Sequence, residues 1–298
     1  MPQVAANGIA LEYEDYGASD APPLLLVMGL GAQLTLWPIE LVEALVARGY
    51  RVIRYDNRDI GLSQKMDGAK APGMVRHILL KRMGLNPRVP YTLADMAADA
   101  VGLLDALGID RAHVVGASMG GMIAQHVAFS HPARIASLTS IMSTTGNPRL
   151  PQAQRAALKV LTQRPRSSDQ AVLVEHGVKI GRTIGSPGYP QSEERLREAT
   201  TALLQRSFYP QGMPRQLAAI IADGCRRERL AMVQAPTLVI HGEADVLVPV
   251  EGGRDTAAHV PGASLKTIPG MGHDLPLELV DEIADAIAAV DSGAGAII

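Results

Sequence analysis

Leu24 to Met28, in "PPLLLVMGLG", is an unbroken apolar run closed by glycines. A strand with one wet face alternates polar and apolar residues. This run does not alternate, so it predicts a strand buried on both faces, as in a parallel sheet covered by helices. The neighbouring segments support that architecture. "IALEYEDYG" alternates and ends in turn residues, as a half-buried strand does. "WPIELVEALVARGY" has a helical period, with Pro38 near its start and Gly49 just past its end. "RVIRYD", "RAHVVGAS" and "RIASLTSIMS" read as strands; "TLADMAADAVGLLDALGI" and "MGGMIAQHVAFSHP" read as helices. Thr92 is a candidate N-cap with Asp95 three residues on, where a capping box would place Glu or Gln. Further on come a strand in "APTLVIHGEAD", a helix in "EGGRDTAAHV", a strand in "ASLKTIP" and a closing helix near 277–290. The alternation predicts an α/β fold with a mainly parallel central sheet flanked by helices.

The alternation is interrupted once. From about Gly146 to Leu230 there are helical stretches such as "DQAVLVEHGVKI" and "SEERLREATTALLQRSF", but no clear strand. This predicts a first core part over 1–145, an inserted helical cap over 146–230 and a second core part over 231–298. A shorter irregular piece between Gln64 and Pro90 carries positive charges, read as a solvated face. The tail "DSGAGAII" reads as a poorly ordered end.

Composition narrows the function. With 47% hydrophobic and 19% charged residues, the chain is not of the disordered class. A net charge of −2 without a long basic run argues against a nucleic-acid partner. One cysteine, Cys225, allows no intrachain disulfide and fits a reducing compartment. No signal peptide and no membrane-spanning run are read, so the expectation is a cytoplasmic protein. No zinc or calcium ligand spacing is present, and neither metal nor cofactor is expected. A homo-oligomer stays open.

Gly116-Ala117-Ser118-Met119-Gly120 matches G-x-S-x-G between a predicted strand and a predicted helix. That context suits a nucleophilic serine on a sharp strand-to-helix turn. Glycines two residues to either side would remove collisions with the adjoining strand and helix. Serine needs a base, and the base an orienting acid. The chain order to seek is Ser, then Asp or Glu, then His. "TLVIHGEADVLVP" supplies Asp245 beyond a strand, with Glu243 as a competing acid. "IPGMGHDLP" supplies His273 beyond the last strand, with Asp274 beside it. Ser118, Asp245 and His273 would all emerge at the C-terminal edge of the sheet. Most of the other histidines read as surface or satisfied core residues. The N–H of Met119 and that of Leu30, in "MGLGAQ", would form an oxyanion hole, unless the latter loop is an ordinary glycine turn. Phe208, Tyr209 and Met213 in the cap are candidate substrate-pocket residues. Trp37 either lines the site or anchors a helix.

These segments together resemble the α/β-hydrolase superfamily over nearly the whole chain. "LLVMGLG…WP", "VIRYDNRDIGLS" and "IPGMGH" look like the aclacinomycin methylesterase group of bacterial carboxylesterases. The resemblance implies hydrolysis of carboxylic esters of small to medium apolar substrates through an acyl-enzyme. Met28 replaces the usual histidine of the oxyanion loop, and Asp59 stands where many relatives have glycine. Asp56 and Arg58 are expected to make structural hydrogen bonds. Ser118 argues against dehalogenase and epoxide hydrolase chemistry, which uses aspartate there. A cofactor-free perhydrolase, a lactonase or a C–C bond hydrolase would use the same triad. A non-catalytic receptor on the same fold would bind without turnover.

Overall fold

In the computed structural model, residues 2–163 and 165–291 are described. The last seven residues of the tail lie outside them. The strands are β1 (Gln3–Ala6), β2 (Ile9–Tyr16), β3 (Pro23–Val27), β4 (Arg51–Tyr55), β5 (Ala112–Ala117), β6 (Ile135–Ile141), β7 (Thr237–Gly242) and β8 (Ser264–Ile268). They form one sheet in the order β1-β2-β4-β3-β5-β6-β7-β8. β1 and β2 enter antiparallel; every pairing from β4 through β8 is parallel. β1 was not foreseen: it is a four-residue strand that exists because β2 offers it an edge.

The first half of the chain carries α1 (Ile39–Ala47), α2 (Met74–Arg82), α3 (Leu93–Ala106) and α4 (Met119–Ser130). Between β6 and β7 come α5 (Arg155–Thr162), α6 (Gln170–Ile184), α7 (Glu193–Arg206), α8 (Gly212–Asp223) and α9 (Arg227–Leu230). No strand interrupts them among the described residues. α10 (Glu251–His259) and α11 (Val280–Asp291) complete the order. α2 lies within the stretch read as irregular.

The unbroken run in β3 now has its cause. Leu25 and Val27 face α3 and α4, in a cluster with Ile53, Leu93 and Ile123. Leu24 and Leu26 face α1 and α11, in a cluster with Leu41, Leu45 and Ile283. All four β3 residues are fully buried, and each such burial contributes roughly 1.5–3 kcal/mol. A polar residue in either register would lie in one of the two cores. α3 starts as read, with one change of chemistry. Thr92 Oγ1 accepts from the Asp95 N–H at 3.2 Å, and Asp95 Oδ2 accepts from the Thr92 N–H at 2.8 Å. Aspartate therefore closes the capping box that glutamate usually closes.

Candidate active site

β5 ends at Ala117 and α4 begins at Met119, leaving Ser118 alone to make the turn. Its φ of 57° and ψ of −118° place it in a region that costs an L-residue about 1–3 kcal/mol. Its surroundings hold it there. The Ser118 N–H donates to the Ile141 carbonyl at 2.9 Å. Its own carbonyl accepts from Ser143 Oγ at 2.8 Å. A Cβ on Gly116 would overlap the Gly120 carbonyl, and one on Gly120 would overlap the Val27 carbonyl. Strand and helix therefore cross the elbow at main-chain contact distance.

β7 and β8 deliver two further side chains to this edge. His273 Nε2 lies 3.0 Å from Ser118 Oγ, and its Nδ1 lies 2.6 Å from Asp245 Oδ2. A carboxylate only accepts, so Nδ1 carries the hydrogen and Nε2 is the free acceptor. The His273 loop is pinned by its own N–H, which donates to the Ile184 carbonyl at 2.7 Å. Asp245 is pinned through Oδ1, which accepts from the N–H groups of Leu247 and Val248 at 2.8 Å each. Burial by itself would raise the Asp245 pKa. The attraction of His273 when it takes a proton, its hydrogen bond to the carboxylate and the backbone N–H of Val248 outweigh it and hold the carboxyl at about 2. His241 Nε2 donates to the Val248 carbonyl at 2.8 Å; its 3.6 Å approach to Asp245 Oδ2 is too long for a hydrogen bond.

The competing acids lie elsewhere. Glu243 is exposed and accepts from Thr267 Oγ1 at 2.9 Å. Asp274 turns away to the α6–α7 connection, where it accepts from the Ser186 hydroxyl and, at 3.1 Å, from Gln191 Nε2. Burial raises its pKa.

The glycine-rich loop after β3 crosses directly over the serine. A Cβ built on Gly29 would lie 3.1 Å from Ser118 Cβ and 3.6 Å from Ser118 Oγ. The N–H groups of Leu30 and Met119 donate to no protein acceptor among the described residues. The loop is braced along its length. Asn57 Nδ2 donates to the Met28 carbonyl at 2.8 Å, and Asp56 Oδ1 accepts from the Leu34 N–H at 2.7 Å. Gln216, on α8, accepts the Gly31 N–H on Oε1 at 2.8 Å and donates from Nε2 to the Arg58 carbonyl at 2.9 Å. In the other direction, Gln33 Nε2 donates to the Leu203 and Ser207 carbonyls of the α7 end, at 2.8 and 3.0 Å. Arg206 bridges Gln33 Oε1 at 2.8 Å and Asp56 Oδ2 at 2.7 Å. Gln216, Gln33 and Arg206 were not singled out from sequence, because no local motif marks residues whose partners lie up to 185 positions away.

Asp59 adopts φ 72°, a backbone that suits the glycine of its relatives. Its carboxylate explains the exception: it accepts two Arg215 hydrogen bonds at 2.7 Å each and Tyr91 Oη at 2.7 Å. Asp56 and Arg58 also make structural bonds, Arg58 with Asp99 at 2.6 Å.

The candidate pocket residues separate. Met213 lies against Gly31, its Cγ 3.5 Å from where a Gly31 Cβ would be. Tyr209 is directed to a polar cluster, donating to Asp67 Oδ1 at 2.6 Å. Phe208 is exposed. Of the two readings of Trp37, the structure favours the helix anchor: it is fully buried with Leu41 and Leu45 in the core beneath α1 and offers no surface to a ligand. His77 is an exception among the other histidines, buried with neither ring nitrogen partnered among the described residues. Among the described residues no group of three or more His, Cys, Asp or Glu side chains could hold a metal ion. None of their helices is long and apolar enough to cross a membrane.

Residues 22–278 match the family described as alpha/beta hydrolase fold. The chain is 31% identical to rhodomycin D methylesterase DnrP of Streptomyces peucetius, across 96% of each chain. It is 28% identical to a hydrolase from Pseudomonas aeruginosa PA01 of known structure, with a TM-score of 0.72 over 97% of each chain. The meta-cleavage product hydrolase CumD of Pseudomonas fluorescens IP01 superposes with a TM-score of 0.78 over 99% of this chain and 98% of that one. Its 20% identity makes that a likeness of fold alone.

Proposed function

The chain belongs to the alpha/beta hydrolase fold family, and from that premise we propose that it is a serine hydrolase of carboxylic esters. The observation that carries this reading is the relay of hydrogen bonds from Ser118 Oγ through His273 to Asp245, at 3.0 and 2.6 Å, on a strained elbow beneath a braced glycine loop. Ser118 Oγ attacks the ester carbonyl while His273 Nε2 takes its proton. Asp245 keeps the imidazole in the required tautomer and stabilises the imidazolium. The N–H groups of Leu30 and Met119 bind the oxyanion. The tetrahedral intermediate collapses, and the alcohol leaves with the proton from His273. Water, deprotonated by His273, then cleaves the acyl-enzyme and frees the acid.

The 31% relative is a methylesterase, which favours methyl esters of apolar acids, with methanol as the leaving alcohol. The reading divides the chain into core over 1–145 and 231–298 and cap over 146–230, with the cap supplying Met213 to the acyl side. The test is release of p-nitrophenol from acetate, butyrate and octanoate esters, with methanol release from methyl esters as the second readout. Turnover by the wild type and none by folded Ser118→Ala supports the assignment. Equal turnover by both removes Ser118 as nucleophile. No turnover by the wild type, with activity on a lactone or a vinylogous 1,5-diketone, replaces the ester with that substrate.

A further inference from the structure

Helix α2 turns an apolar stripe to solvent. Its protein-facing side carries His77, fully buried with no partner on either nitrogen. The same side carries Lys81, whose Nζ donates to the Ala222 carbonyl of α8 at 2.6 Å. Its solvent side carries Val75, Leu79 and Met83, which are 75%, 58% and 66% exposed. Their spacing of four residues stacks them in one stripe. With Ile78 and Leu85 nearby, five of the twelve large exposed apolar side chains among the described residues fall within this one segment. Scattered exposed apolar residues need no explanation, whereas a concentrated outward stripe does. The charge around it has one sign. Lys70, Arg76, Arg82 and Arg88 are exposed, and none forms a salt bridge among the described residues. No acidic residue lies between Asp67 and Asp95, although the whole chain carries −2. Helical spacing puts Arg76 and Arg82 on opposite flanks of the stripe.

The geometry points to a docking surface for an anionic lipid bilayer. The stripe would enter the boundary between headgroups and acyl chains while the flanking guanidinium groups meet lipid phosphates. A second copy of the chain fits less well, because two-fold pairing of this face sets four cations against their own copies. An acidic protein would satisfy the charge but would also need a groove shaped to a protruding helix; a bilayer needs no such match. α2 lies on α8, whose first turn places Met213 beside Gly31. Docking would therefore bring lipid-dissolved apolar esters close to the site. That last consequence rests on the esterase reading; the docking does not.

The test is co-sedimentation of the full chain with vesicles of phosphatidylcholine, with and without phosphatidylglycerol. Binding is expected only with phosphatidylglycerol and should fall as salt is added. Arg76→Gln/Arg82→Gln should bind roughly thirtyfold more weakly, the fold-change of about 1 kcal/mol per basic residue. Val75→Ser/Leu79→Ser/Met83→Ser should lose sedimentation while keeping the wild-type circular dichroism and any turnover of p-nitrophenyl acetate. Sedimentation with neither vesicle, or undiminished sedimentation of the triple variant, overturns the proposal. So does a wild-type dimer that the triple variant dissolves, which would give the face to a second copy. Absent turnover with intact vesicle binding would count against the esterase reading alone.

Discussion

Gln216→Met tests whether the glycine loop over Ser118 depends on α8. Gln216 is fully buried, and methionine keeps its length and volume while removing both polar atoms. The Gly31 N–H and the Arg58 carbonyl then lose their partners at 2.8 and 2.9 Å. The buried Arg58 carbonyl left unpaired costs about 1–3 kcal/mol, whereas Gly31 is exposed and water can meet its N–H, so stability should fall by about 1–3 kcal/mol. Gly31 adjoins Leu30, the second proposed oxyanion donor, so the loop should loosen where the transition state needs it. Complete loss of one such donor costs about 10²–10³ in kcat, which bounds the effect; partial misplacement should cost about 10–100-fold. The loss should appear in kcat with KM changed less than about threefold, because the donor serves the transition state more than the ground state. Gln216→Glu separates the two roles. It keeps an acceptor for the Gly31 N–H but opposes the Arg58 carbonyl with oxygen, so it should lose stability while keeping kcat within roughly fivefold. Urea unfolding and p-nitrophenyl butyrate kinetics read both quantities. A methionine variant that is destabilised yet turns over like the wild type would show Gln216 to be a packing residue only.

Three further outcomes are expected. Asp245→Asn should lower kcat by about 10²–10⁴ with the circular dichroism spectrum unchanged, while Glu243→Gln stays within roughly twofold; the reverse pattern would assign the acid to Glu243. Ser118→Gly should abolish turnover yet raise the urea midpoint, because glycine adopts φ 57° without the cost of about 1–3 kcal/mol that serine bears; a lowered midpoint would show that the elbow is unstrained. The folded Asp245 carboxyl is held at about 2 against an ordinary 3.8. A depressed carboxylate contributes stability that is present above its unfolded value and lost as pH falls toward its folded one, so unfolding free energy should drop between about pH 4 and 2. Asp223, also held low by His126 and Arg226 against the effect of burial, adds in the same direction. Asp245→Asn should flatten that slope; an unchanged slope would place the acid sensitivity elsewhere.

The parts of this molecule that were legible in sequence are those in which cause and consequence are adjacent. β3 announces itself because both of its faces are apolar. The elbow announces itself because Ser118 and its two glycines lie within five residues. Asp245 and His273 were found because each follows a recognisable strand. What stayed hidden is held by partners distant in sequence. Asp56 and Asp59 read as one motif, but their charges are met by Arg206 and Arg215, about 150 positions later. Trp37 shows the limit of reading apolar residues for a pocket, since a large ring next to the glycine loop fits a core as well as a site. α2 was obscured because its burial does not follow hydrophobicity: the histidine faces inward and the valine outward.

The strand order also sets a timetable for synthesis. β6 bonds to β7 along one edge, but roughly 95 residues separate Ile141 from Thr237. At about 5–20 residues per second, a ribosome leaves that edge open for ~5–20 s. During that interval the nascent sheet ends in a strand with unpaired amides, the kind of edge that recruits other chains. The helices made in the meantime bind back to Asp56, Asp59 and Gly31 on the finished half, at the end of the sheet where the strands terminate and not along its open side. The newborn chain is thus most vulnerable to aggregation just before the acid and the histidine arrive, and the two strands that close the sheet are the same two that complete the site.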